Sequence, residues 1–101
     1  MKDFTTMKML IESLEETAEF VDQRIISWQS ELQEADERFG KYLKDEDGVC
    51  YELNEDEEPK QCSSWDYDYA ERKVKTATCY VKAFEIIRTA IDKIDVNKVV
   101  D

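Results

Sequence analysis

The chain has 101 residues, which suits a single domain spanning 1–101. Its 14 Lys and Arg stand against 25 Asp and Glu with no His, a net charge of −11, and such an excess of acid argues against direct contact with nucleic-acid phosphates or anionic lipid headgroups. No run approaches the roughly 20 apolar residues of a membrane span, and the start MKDFTTMKML carries an acid and no small-residue cleavage site, so a cytoplasmic protein is the expectation. Only 2 Gly and 1 Pro leave few places for tight turns and favour long helices over many strands.

The first element is a long helix. Phe4, Met7, Ile11, Leu14, Ala18, Val21, Ile25, Trp28, Leu32, Ala35, Phe39 and Tyr42 recur at alternating steps of three and four, the seam of a helix packed along a partner. Leu10, Phe20 and Ile26 widen that seam towards a bundle face. The helix is expected over about 5–39, with Thr5 or Thr6 as cap and Gly40 as a left-handed stop.

Residues 45–63 hold 1 basic and 8 acidic side chains, the only Pro (Pro59) and Gly48. They read as an acidic connector between two helical halves, in which Val49, Tyr51 and Leu53 alternate as a short extended segment does. Ser63 then looks like a helix cap, with Asp66 and Asp68 near the N-terminal dipole. Tyr67, Ala70, Val74, Ala77, Val81, Phe84, Ile87, Ile91 and Ile94 repeat at threes and fours, a second helix over about 64–95. Two helices of similar length joined by one connector predict an all-α fold, an antiparallel αα-hairpin. The apolar faces are wider than one partner helix covers, so the expected assembly is a homodimeric four-helix bundle.

Catalytic residue types are sparse. Without His the usual proton shuttle and commonest metal ligand is absent, and Cys50, Cys62 and Cys79 form no C-x-x-C pair. The carboxylates around them disfavour a thiolate. Three ordinary thiols are the expectation, with a Cys50–Cys62 disulfide as the alternative under oxidising conditions, and Cys79 pointing outward. Asp45-Glu46-Asp47-Gly48 matches part of a calcium loop, but placing Gly48 at its sixth position puts Leu43 first and Asn54 twelfth, where acids are required. Glu15-Glu16-Thr17-Ala18-Glu19 resembles the E-E-x-x-E string of MazG-like nucleotide pyrophosphohydrolases, which implies magnesium held between helices. Those enzymes pair it with E-x-x-D on another helix, whereas this chain offers only Asp92-Lys93-Ile94-Asp95, and its own acids fall on the solvent side of the seam. The expectation is no enzyme, no metal and no cofactor.

Two surfaces remain as candidates for recognition. Trp65, Tyr67 and Tyr69 alternate with acids directly after Asp56, Glu57 and Glu58. A step of two residues cannot keep all three rings on one helix face, so at least one is expected at the surface as a binding anchor ringed by acids that attract a basic partner. The structural alternative is that Trp65 and Tyr69 seal the end of the hairpin. The second surface is an acidic strip of Glu12, Glu15, Glu16, Glu19 and Asp22, continued by Glu31, Glu34, Asp36 and Glu37. Such a strip is commonly a solvated helix face, and it is also what a mimic of nucleic acid uses to fill the basic groove of a DNA- or RNA-processing enzyme, as anti-restriction and anti-CRISPR inhibitors do. The leading expectation is a non-enzymatic interaction module of adaptor, immunity or inhibitor type, and mimicry is its alternative.

Overall fold

The computed structural model describes residues 4–100, and the expected domain limits at 1 and 101 lie outside them. Helix α1 runs Phe4–Phe39, followed by strands β1 (Tyr42–Lys44), β2 (Cys50–Glu52) and β3 (Lys60–Cys62), helix α2 (Ser64–Asp92) and a short α3 (Val96–Val100). The described residues are 72% helical, with α1 and α2 packed against each other. No helix among the described residues is long and apolar enough to cross a membrane.

The chain is not all-α. The segment read as a connector folds into an antiparallel meander of order β1-β2-β3, and its residues explain why. Asp45 closes the first hairpin: its Oδ1 accepts the N–H groups of Asp47 and Val49 at 3.0 and 2.8 Å, and its backbone carbonyl accepts from Gly48 at 3.1 Å. Gly48 supplies the left-handed backbone this turn requires, at φ 83°. Tyr51 pairs with Leu43 on one side and with Gln61 on the other, so the alternation at Val49, Tyr51 and Leu53 marks the central strand. Tyr42 opens β1 instead of extending the helix.

Other boundaries move by local hydrogen bonding. Thr5 and Thr6 lie inside α1. Gly40 ends that helix through an N–H bond to the Asp36 carbonyl at 2.9 Å, without positive φ. Ser63 caps α2 as expected: its hydroxyl accepts from the Asp66 N–H and donates to the Asp66 carboxylate, occupying an orphan donor of the first turn. The far end stops at Asp92, not 95, because the Asp95 carboxylate accepts the N–H of Asn97 at 3.0 Å and starts α3, an arrangement that competes with helix continuation.

Along the helix pair the expected seam is largely realised. Val21, Ala70, Ala77 and Val81 are buried, and the two alanines let the backbones approach. Trp28 stacks on Tyr80, centroids 4.2 Å apart and planes within 3°; its Nε1–H is buried without a hydrogen-bond partner. Nearer the chain ends the seam opens, leaving Phe4, Ile11, Ile87 and Ile94 exposed. The result is a rod of 72 × 25 × 16 Å.

Candidate functional site

The aromatic run divides as helical geometry requires. Tyr67 turns inward, its ring edge-on to Phe39 at 5.2 Å, with the Lys44 ammonium 5.2 Å over its face. It joins β1 to both helices and belongs to the packing. Trp65 and Tyr69, four residues apart on the other face, stack on each other at 5.2 Å. Trp65 is 67% exposed and Tyr69 36%. Arg38 and Lys73 stand over the Tyr69 ring at 5.9 and 5.4 Å, so the stack is backed by α1 and fixed in orientation while its outer ring faces solvent.

Asp56, Glu57 and Glu58 lie in the exposed β2–β3 loop, at the same end of the rod as Trp65. Glu57 is held by Lys60 at 3.0 Å; Asp56 and Glu58 make no ion pair among the described residues. This end is not a loose loop, because Cys50 in the central strand is one of the most buried side chains described, at 2% exposure.

The acidic strip is partly realised. Glu12, Glu15, Glu16 and Glu19 are exposed along α1 and make no ion pair among the described residues. Asp22 departs from the expectation of a solvent-facing strip. It is half-buried and accepts from Arg88 Nε of α2 at 2.9 Å, with Asp92 on the same guanidinium. Hydrogen bonding to Asp22, then to Asp92, raises the Arg88 pKa. Glu31 and Glu34 flank a shallow cleft between the helices with Ala35, Arg38, Ala70 and Lys73.

The three cysteines carry free thiols, with Cys50 buried, Cys62 partly covered and Cys79 exposed as its helical position predicts. Burial pushes the Cys62 thiol up, and Cys50, Asp66 and Glu52 add to the effect, the direction expected for a thiol among carboxylates. No group of three or more Cys, Asp or Glu side chains among the described residues is placed to hold a metal ion.

A further surface is formed by the apolar positions that widen the two helix faces beyond the seam. Phe20 lies one turn before Arg24, whose guanidinium is 5.8 Å over Phe84. Tyr80 covers Trp28, and Ile87 follows Phe84 and Tyr80 at helical spacing. Phe20, Tyr80 and Ile87 therefore share one long flank of the helix pair, and Phe20 is 62% exposed. The signal was present in the extra apolar positions Phe20, Tyr80, Ala83 and Ala90 beside the seam, which a single partner helix leaves uncovered. Comparison with protein-family models, with curated proteins and with solved structures finds no match to this chain.

Proposed function

We propose that the chain is a non-enzymatic protein-interaction module that works as a homodimer and presents its acidic, Trp65-bearing end to a basic protein. The observation that carries this reading is the area left in contact with water. The described fold exposes 7946 Å², whereas a compact monomer of 12.0 kDa exposes about 6,000 Å². Its radius of gyration is 21.8 Å against about 13 Å for a compact domain of this length. The surplus exceeds the ~800 Å² that each partner contributes to a standard protein interface.

A second copy is the occupant that suits the Phe20–Tyr80–Ile87 flank. Residues 64–101 carry 7 basic and 7 acidic side chains, so much of that flank is formed by the charge-balanced helix while the acidic segment stays at one end. Two-fold pairing there makes a four-helix bundle. The stacked Trp65 and Tyr69, with Asp56, Glu57 and Glu58 beside them in the fold, form the second surface. A rigid, exposed aromatic pair within an acidic field supplies an anchor and attracts a basic partner.

The two interfaces respond oppositely to salt. Screening strengthens association of two chains of charge −11 and weakens capture of a basic partner. Sedimentation of the wild type is expected to show a dimer at micromolar concentration. Phe20→Asp with Ile87→Asp is expected to give a helical monomer; a wild type that sediments as a monomer throughout defeats the dimer. For the second surface, partners captured from the source cell by the wild type are compared with those of Trp65→Ala/Tyr69→Ala and of Glu12→Lys/Glu16→Lys/Glu19→Lys. Loss of 2 kcal/mol or more in the aromatic variant, the scale of a hot spot, supports the module. Loss only in the charge-reversed variant moves recognition to the exposed α1 acids and to nucleic-acid mimicry.

A further inference from the structure

Cys50 and Cys62 lie 12 positions apart in sequence yet directly opposite one another in the β2–β3 ladder. Residues paired this way project from the same face of a sheet. The backbone also fixes the type of pair. The N–H groups of Asp45 and Leu53 donate to the carbonyls of Val49 and Lys41, respectively, so positions 49, 51 and 53 bond towards β1. Cys50 therefore directs its own N–H and C=O towards β3. The Cys50–Cys62 pair is a hydrogen-bonded one, with Cα atoms about 5.5 Å apart, inside the ~4.4–6.8 Å span of disulfides. Cβ separations in such pairs lie near the upper end of about 4.5–5.5 Å, wider than the ~3.8 Å a relaxed disulfide adopts. A bond here draws the strands together and stores strain, the condition for a readily reduced disulfide rather than a permanent one.

We propose that Cys50 and Cys62 form a reversible dithiol–disulfide couple that clamps β2 to β3 and takes its oxidising equivalents from small disulfides, cationic ones in preference to anionic ones. The more accessible Cys62 loses its proton to solvent, and its thiolate attacks one sulfur of a disulfide RSSR. The S–S bond breaks and RS⁻ leaves, taking up a proton as RSH. The Cys50 sulfur then attacks the Cys62 sulfur of the mixed disulfide, the Cys62–SR bond breaks, and the departing RS⁻ takes up the Cys50 proton as the second RSH. The protein loses two hydrogens as RSSR is reduced to two RSH. Cys50 needs no access to solvent, because it acts only on its neighbour.

The preference for a cation follows from the surroundings. Glu52 and Asp66 act electrostatically on Cys62, and the β2–β3 loop adds Glu55, Asp56, Glu57 and Glu58. Glu52 and Asp66 disfavour the Cys62 thiolate, and the loop acids, with Glu57 offset by Lys60, repel anionic disulfides and slow their exchange; salt reduces the repulsion. The position of the equilibrium is set by strand geometry, not by that rate.

The test treats the full chain with cystamine or with oxidised glutathione, blocks residual thiols under acid quench and maps the peptides without reduction. The expected product has lost two hydrogens in a Cys50–Cys62 link, while the exposed Cys79 carries at most a mixed disulfide with the reagent. Cystamine is expected to react at least tenfold faster than oxidised glutathione at low salt, with the gap narrowing at high salt. Cys50→Ser should stop at a mixed disulfide on Cys62, and Cys62→Ser should leave Cys50 unmodified. A wild type that stops at the mixed disulfide, or that cross-links only through Cys79, overturns the couple. Equal rates for the two reagents overturn the charge preference. A bond that resists millimolar reduced glutathione overturns reversibility.

Discussion

The two ends of the rod are built on different terms. At the meander end, Phe39, Tyr67 and Cys50 tie both helices to the sheet, turns are closed by side chains, and most of the excess acid is gathered. At the opposite end the helices run on with Phe4, Met9, Phe20, Ile86 and Ile94 open to water. One end is closed by a sheet and leaves the Trp65 ring exposed; the other is two bare helices whose apolar side chains share the surface with Glu12, Glu15, Glu16 and Glu19. The two interfaces we propose rest on the distance between the densest acid and the long apolar flank.

The largest expected effect tests what joins these ends. Trp28→Ala removes the ring stacked on Tyr80 at mid-rod and is expected to cost about 3 kcal/mol in denaturant unfolding. Trp28→Phe should cost less than half as much, because a stacked ring survives and the buried, unpartnered N–H is removed. A loss under about 1 kcal/mol for the alanine variant would mean that the ends are held independently.

A smaller effect probes the meander end alone. Gly48→Ala meets no atom within 4 Å of the new Cβ, so its penalty is conformational, about 1 kcal/mol for an L-residue held at positive φ. Chemical-shift changes are expected to stay within the meander; a change in dimerisation would show that the two ends communicate. The smallest effect falls on the open end. Asp22→Asn weakens the ion pair with Arg88, but the Asp22 side chain is 50% exposed, so the expected cost is about 0.5 kcal/mol, falling with added salt. A cost above about 2 kcal/mol would mean that the pair is desolvated by a second copy.

The helices were legible because apolar spacing over 36 and 29 residues carries a dense periodic signal, and the Ser63 cap rests on local chemistry. The sheet was harder to read because three-residue strands offer one alternation at most. Asp-Gly at 47–48 marks a hairpin turn, yet eight acids in the segment suggest a solvated connector. Asp22 was misplaced for a different reason: its position at the seam edge is decided by the reach of Arg88 from 66 residues away. The aromatic run was half legible, since helical geometry requires the rings to split but does not say that Tyr67 turns towards Phe39.

The meander also orders events in time. Its strands pair residues only 6–12 apart across the two hairpins, so they close small loops at low entropic cost. Contacts between the long helices become more distant in sequence with each turn away from the sheet, from Phe39–Tyr67 through Trp28–Tyr80 to Asp22–Arg88. Once the meander has formed, each of these becomes a short step beyond the last. Loop-closure cost therefore favours a zipper that starts at the meander, with the apolar flank completed last.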